Sequence, residues 1–109
     1  MKLGSFSTLG PCVDCYNQGF IEIGNHTVIS QKSYLCASSH DYQKKDFPLI
    51  LKPIKIGSQV WVAADAFVGP GVIIEDQVIV AARSAVFNNI EANTVVRGNP
   101  AQVLKRLKK

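Results

Sequence analysis

A six-residue spacing of aliphatic side chains constrains the fold of this chain more than any other feature. Isoleucine or valine recurs six times in succession at this interval, at Ile56, Val62, Val68, Ile74, Val80 and Val86. Four residues after each comes an apolar or small side chain: Val60, Ala66, Val72, Val78, Ser84 and Ile90. This spacing is neither the period of about 3.6 residues of a helix nor the alternation of a simple strand. It suits an all-β coil with flat faces, in which the first residue of every hexad points into a triangular prism.

An earlier run of the same period is out of phase with this one. Ile23, Ile29 and Leu35 form its first column, and its second column is Thr27, Ser33 and Ser39. From Ile23 to Ile56 is 33 residues (56 − 23), which is not a multiple of six. We therefore predict that residues 41–53 form a projecting loop, and that His40 closes the regular coil before it. The residue after each aliphatic side chain is often small, which predicts a turn that needs a small side chain or a positive φ at this position. These residues are Gly24, Ser30, Gly57, Ala63, Gly69 and Ala81.

The sequence ends on "VVRGNPAQVLKRLKK", which differs from the repeat. Pro100 suits the first turn of a helix, and Val103, Leu104 and Leu107 form one apolar stripe. We predict a β-helix domain over residues 1–99 and a short C-terminal helix over residues 100–109 that caps the open end of the prism.

Size and charge limit the classes of function. A chain of 109 residues buries a limited core, so oligomerisation is expected. Much of the net charge of +4 lies in the tail "KRLKK", without the basic face interleaved with aromatic residues that nucleic-acid binding requires. No apolar run is long enough to span a bilayer, and "MKLGSFSTLG" lacks the apolar core of a signal peptide. We expect a cytoplasmic protein.

The three cysteines, Cys12, Cys15 and Cys36, favour a reducing compartment over a disulfide framework. "CVDC" with His26 or His40 is a weak zinc pattern, because a second closely spaced ligand pair is missing. Small thiols buried in a repeat core are the favoured interpretation, and no metal is expected. His26 occupies a turn position of a regular hexad and is interpreted as a surface residue.

Four stretches in order, "GPCVDCYNQG", "SYLCASSHDY", "IKIGSQVWVAADAFVGPGV" and "VVRGNPAQVLKR", resemble the hexapeptide-repeat acetyltransferases, above all the colanic acid biosynthesis type. The maltose, galactoside and nodulation acetyltransferases are broader relatives. The resemblance implies a left-handed parallel β-helix and a homotrimer with active sites between subunits. It also implies transfer of an acetyl group from acetyl-CoA to a sugar hydroxyl.

The resemblance makes His40 the general base, since a neutral imidazole can take the proton of an attacking hydroxyl. It places Asp14, and more weakly Asn17, against the acceptor sugar. Asp14 is equally typical of a turn aspartate bonded to its own backbone.

The coenzyme contacts are also implied by the resemblance. Trp61 matches a tryptophan near the active site, although packing against the projecting loop explains it equally well. Ala64 and Ala82 match contacts of the pantetheine arm. Phe87 and Asn88 replace a frequent threonine and lysine, and Gln102 replaces a frequent arginine. Lys105 supplies a positive charge for the phosphates of the coenzyme, or is a solvated helix residue.

Two other functions remain open. A chain that begins inside the first turns of its relatives can be a truncated trimer that binds coenzyme or a partner without turnover. A γ-class carbonic anhydrase shares the architecture, but it needs three histidine ligands and this sequence has two histidines.

Overall fold

The computed structural model describes residues 1–108 and is built of short strands. In chain order they are β1 (Lys2–Leu3), β2 (Thr8–Leu9), β3 (Asp14–Tyr16), β4 (Ile21–Ile23), β5 (Val28–Ile29), β6 (Tyr34–Cys36), β7 (Ser38–His40), β8 (Leu49–Leu51), β9 (Ile54–Ile56), β10 (Trp61–Val62), β11 (Phe67–Val68), β12 (Ile73–Ile74), β13 (Ile79–Val80), β14 (Ala85–Val86), β15 (Thr94–Arg97) and β16 (Gln102–Arg106). Over the described range, the chain contains no helix that could cross a bilayer.

Three sheets form the faces of a prism. The first face has the strand order β1-β4-β9-β12, the second β16-β15-β13-β10-β5-β2, and the third β14-β11-β6-β3. Within each face the coil strands pair in parallel, and only β16 is antiparallel to its neighbour. Each turn of the coil therefore visits the first, second and third face in succession, and like positions stack from coil to coil.

The six-residue columns form the core. Val62 pairs with Val80, so one full coil takes 18 residues (80 − 62). All nine aliphatic residues of the two first columns are at most 1% exposed. The second columns are buried as well, except that Ser39 lies exposed outside the coil. Burial of these branched side chains is the main term that stabilises the prism.

Positive φ angles fall at another position of the hexad than the predicted one. They occur three residues after the inward aliphatic residue, as at Gln59 (φ 57°) and Gln77 (φ 60°). At Gly24, which directly follows an inward aliphatic residue, stacking of the coils requires a small residue instead. A Cβ on Gly24 would lie 2.7 Å from the carbonyl carbon of Gly57 on the next coil.

The excursion is a β-hairpin and begins earlier than predicted. Strand β7 pairs antiparallel with β8, and His40 lies opposite Leu49. The coil is left after Ala37, whose carbonyl oxygen accepts a hydrogen bond from the Lys52 N–H at 3.0 Å. His40 is thus part of the hairpin and does not close the coil, and part of the predicted loop is strand. Ile23 pairs directly with Ile56, so the coil resumes in register after 15 extra residues (33 − 18).

The predicted C-terminal helix over residues 100–109 is wrong for the described residues. Gln102–Arg106 is a strand that runs antiparallel to β15 with a register shift between Val95 and Val96. This pairing satisfies the outer edge of β15, which a helix lying across the end of the prism would leave unpaired. Lys109 lies outside the described residues.

Candidate active site

The ring of His40 is held by the backbone of its own hairpin. Its Nδ1 lies 2.8 Å from the carbonyl oxygen of Phe47, and its side chain is exposed. A carbonyl oxygen can only accept a hydrogen bond, so Nδ1 carries the proton. In the neutral ring Nε2 is then left with a free lone pair, which is the form that a general base needs.

The hairpin loop is itself ordered by local hydrogen bonds. The Asp41 N–H donates to the Pro48 carbonyl at 3.0 Å, and Oδ1 of Asp41 accepts from the Gln43 N–H at 3.1 Å. Asp41 therefore shapes the loop that carries the Phe47 carbonyl.

The two predicted acceptor residues lie at opposite ends of β3. Asn17 follows β3 directly, at the corner between the third and first faces from which the hairpin also leaves. The Ala37 N–H donates to the Tyr16 carbonyl at 3.1 Å, which joins the hairpin base to this corner. Asp14 begins β3 and pairs with Tyr34, so it lies toward the corner between the second and third faces. The structure thus brings Asn17 closer than Asp14 to the hairpin that carries His40.

Three of the predicted coenzyme residues line one groove. The groove has a volume of about 510 Å³, and its walls include Trp61, Ala64 and Ala82. Its other lining residues, which the sequence prediction missed, are Ser30, Gln31, Ala63, Ile79 and Ala81. Ile79 shares the hexad position of Trp61, and Gln31 shares that of Ala64 and Ala82. The repeat is therefore a signal that identifies these two. The remaining three occupy the position directly before that of Ala64: Ser30, Ala63 and Ala81. We call this surface the alanine groove.

The alanine groove lies at the corner between the second and third faces. Trp61 is fixed there by a hydrogen bond from its Nε1 to the Ser30 hydroxyl at 2.9 Å, so it packs on the coil and not on the hairpin. Small side chains stacked at Ala64 and Ala82 leave a narrow apolar channel along the coil axis. Such a channel fits a slender, largely apolar chain with amide groups.

The other predicted coenzyme residues are spread over two places. Gln102 begins β16 at the end of β15 that borders the alanine groove, and Lys105 lies three residues farther along the strand. Phe87 and Asn88 follow β14, at the corner from which the hairpin leaves. A single chain therefore presents the alanine groove at one corner of the prism, and His40 with Phe87 and Asn88 at the next corner.

Two of the cysteines belong to the weak zinc pattern of the sequence. Within residues 1–108 no group of three histidine, cysteine or acidic side chains is placed to hold a metal ion. Burial, and secondarily the Asp14 carboxylate, raise the pKa of the Cys15 thiol. The expectation of three buried thiols is wrong: Cys15 and Cys36 are only half-buried, and Cys12 is exposed at a turn with φ 60° because the hexad places it on a corner.

Known proteins share both the sequence and the fold of this chain. No family model matches it. A protein of Escherichia coli K12 named as the colanic acid biosynthesis acetyltransferase WcaF is 50% identical over 105 residues, which cover 96% of this chain and 58% of that protein. The hexapeptide-repeat acetyltransferase VCA0836 of Vibrio cholerae has a TM-score of 0.92 and 31% identity, over 98% of this chain and 62% of its own. A structure of VCA0836 with acetyl-CoA has a TM-score of 0.76 and 27% identity, over 99% and 72% of the two chains.

Sequence and fold agree that the chain is a homologue of the hexapeptide-repeat acetyltransferases, with their left-handed parallel β-helix. Among the proteins compared, the 50% identity links it to the colanic acid biosynthesis type. The chain spans 58% of the length of that relative.

Proposed function

We propose that this chain forms the catalytic coil of an acetyl-CoA-dependent O-acetyltransferase that modifies a sugar hydroxyl. The observation that carries the proposal is the alanine groove. Trp61, Ala64 and Ala82 match coenzyme contacts by their sequence motifs alone, and these three residues line one channel. The names of the relatives support the same reaction.

The transfer is direct, in a ternary complex of the enzyme with donor and acceptor. The sugar oxygen attacks the thioester carbonyl carbon while Nε2 of His40 takes the hydroxyl proton. The carbon–sulfur bond then breaks, and the thiolate that leaves takes the proton from the imidazolium. The Phe47 carbonyl, 2.8 Å from Nδ1, holds the ring in the tautomer that leaves Nε2 free to take the proton.

The active site combines two subunits of a homotrimer in this proposal. The support is that one chain carries the alanine groove and His40 on different corners of the prism. A threefold arrangement of parallel prisms brings the hairpin corner of one copy against the groove corner of the next. Phe87 and Asn88, on the hairpin corner, then approach the donor bound in the neighbouring copy, while Gln102 approaches it from the same copy.

Asn17 contacts the acceptor in this proposal because it shares the corner from which the His40 hairpin leaves. Asp14 is the second acceptor contact and reaches the sugar from the other end of β3. The cytoplasm is the proposed location, in line with three free thiols and a coenzyme A donor.

Thiol release from acetyl-CoA, measured with a panel of sugars, tests the proposal. We expect His40→Ala to lower kcat by a factor on the order of 10² to 10⁴, because the attacking hydroxyl loses its base. His26→Ala is the matched control. His26 is exposed and stacks on Phe6 with ring centroids 5.1 Å apart, so this variant should keep the activity of the unchanged chain.

Other outcomes would decide for the alternatives. Coenzyme binding without turnover on any sugar would favour a non-catalytic coil. Stoichiometric zinc in the purified protein would contradict the acetyltransferase proposal and favour the carbonic anhydrase.

A further inference from the structure

Two arginines lie at one end of the alanine groove and have no part in the function proposed so far. Arg83 follows Ala82 directly, and its side chain is 85% exposed. Arg97 is exposed and is the last residue of β15. Because Val80 pairs with Val96, Arg97 lies beside Ala81 of the neighbouring coil. Both cations therefore border the last coil of the groove.

Arg83 belongs to a column of charges on successive coils. The Asp65 N–H donates to the Gln31 carbonyl at 3.0 Å, and the Arg83 N–H donates to the Ala64 carbonyl at 2.9 Å, so the residues after Gln31, Ala64 and Ala82 stack. These residues are Lys32, Asp65 and Arg83, and neighbouring coils lie about 4.8 Å apart. The column runs beside the groove and is positive at both ends.

The only ion pair that Arg83 makes in the described chain is loose. Its Nε lies 3.6 Å from Oδ2 of Asp65, whose side chain is 58% exposed. An exposed pair of this kind contributes little to stability, so Arg83 can exchange it for another anion at small cost. A phosphate is a stronger partner, because the planar guanidinium donates two parallel hydrogen bonds to it.

The direction of the groove decides which end of the donor meets these arginines. The hairpin with His40 leaves the coil that contains β5 and β6, at the level of Ser30 and Gln31. In a trimer of parallel copies the reacting thioester lies at that level. The distal end of the donor then extends toward Ala82, two coils higher.

We propose that Arg83 and Arg97 form a clasp for the phosphate groups of the nucleotide half of the donor, and that Asp65 competes for Arg83 in its absence. The clasp rests on the proposed function for the direction of the donor. It selects a complete coenzyme A thioester over a pantetheine thioester. Lys105, three residues beyond the groove end of β16, is a more distant partner for the phosphates than either arginine.

Isothermal titration calorimetry with coenzyme A and with pantetheine tests the clasp on the full chain. Arg83→Gln and Arg97→Gln should each weaken coenzyme A binding about five- to tenfold and leave pantetheine binding unchanged, because coenzyme A carries phosphates and pantetheine does not. Glutamine suits position 83, since Gln59 and Gln77 adopt the same positive φ at equivalent turns. Asp65→Asn should tighten coenzyme A binding about twofold to threefold by removing the competing carboxylate.

Lys32→Gln is the matched control, since it removes one positive charge from the same column at the other end of the groove. It should change coenzyme A binding by less than about twofold. Equal affinities of both arginine variants and the unchanged chain for coenzyme A would overturn the clasp, as would equal losses for pantetheine. Binding needs no turnover, so the two proposals can fail separately. An arginine-dependent affinity without acetylation of any sugar contradicts the proposed function alone, and turnover with unaffected variants contradicts the clasp alone.

Discussion

Two buried hydroxyl groups join neighbouring coils in the core. The Thr27 hydroxyl donates to the Gly57 carbonyl at 2.7 Å and accepts from the Val60 N–H at 3.3 Å. The Ser33 hydroxyl does the same with Ala63 at 3.0 Å and Ala66 at 3.3 Å. Both residues are fully buried, and all four bonds cross from one coil to the coil that follows the hairpin. They therefore fasten the coil at the place where the hairpin interrupts it.

Replacing Thr27 by valine tests this role at nearly constant volume. We expect Thr27→Val to lower the free energy of unfolding by about 1–3 kcal/mol, because the half-buried Gly57 carbonyl and the buried Val60 N–H lose their partner. Urea denaturation measures the change. Val28→Thr is the control, since Val28 directly follows Thr27 and is 41% exposed. Equal or greater stability of Thr27→Val would show that the hydroxyl only fills space.

Individual residues are predictable where the repeat determines them. The six-residue period assigns Ile56 and Val62 to the interior because it leaves no other place for them, and the structure confirms this. The bridges made by Thr27 could not be predicted, since they depend on which carbonyl lies opposite after an insertion of unknown shape. The hydrogen-bond partner of the His40 ring could not be predicted for the same reason, since the turn of the hairpin is what brings the Phe47 carbonyl to the ring.

Single elements are predicted less well than the repeat. The tail "AQVLKRLKK" offers an apolar stripe at helical spacing, and yet Gln102–Arg106 is a strand with all five residues exposed. Pairing with the open edge of β15 outweighs the helical propensity of the tail. The sequence of the tail alone does not reveal that this edge is available. The phase slip indicated the hairpin but gave no sign that Leu49–Leu51 pairs with Ser38–His40.

Removing β16 should expose that edge. We expect a chain that ends at Ala101 to aggregate faster than the full chain and to melt at a lower temperature, because β15 then presents free N–H and C=O groups to other copies. Light scattering and thermal denaturation measure both effects. A chain that ends at Leu107 is the control, since it keeps β16 and the hydrogen bond from the Leu107 N–H to the Asn93 carbonyl at 2.7 Å. Equal aggregation of the two shortened chains would contradict this role of β16.

At the scale of the whole molecule, the two halves of the proposed site lie on neighbouring corners of one rigid prism. The hairpin leaves between the third and first faces, and the alanine groove lies between the second and third. The strands between these corners belong to continuous parallel sheets, so bending one prism to bring the corners together would break ladder hydrogen bonds. A shared site between copies avoids that cost.

Mixing two inactive variants tests the shared site. His40→Ala removes the base, and Ala82→Trp fills the alanine groove at an exposed position of the coil surface. In a threefold ring each site takes its histidine from one copy and its groove from the next, so an equal random mixture should regain about a quarter of the unchanged activity. The recovery arises because one site in four pairs an intact hairpin with an open groove.

The measurement is acetyl transfer after the two variants are unfolded and refolded together, with each variant refolded alone as the control. Two different affinity tags on the two variants calibrate mixing, since mixed oligomers are retained by both tags in succession. If calibrated mixtures of the two variants stay inactive, histidine and groove must act from the same chain. The hairpin would then have to fold across the third face, where Tyr34 and Phe67 now lie with ring centroids 5.6 Å apart.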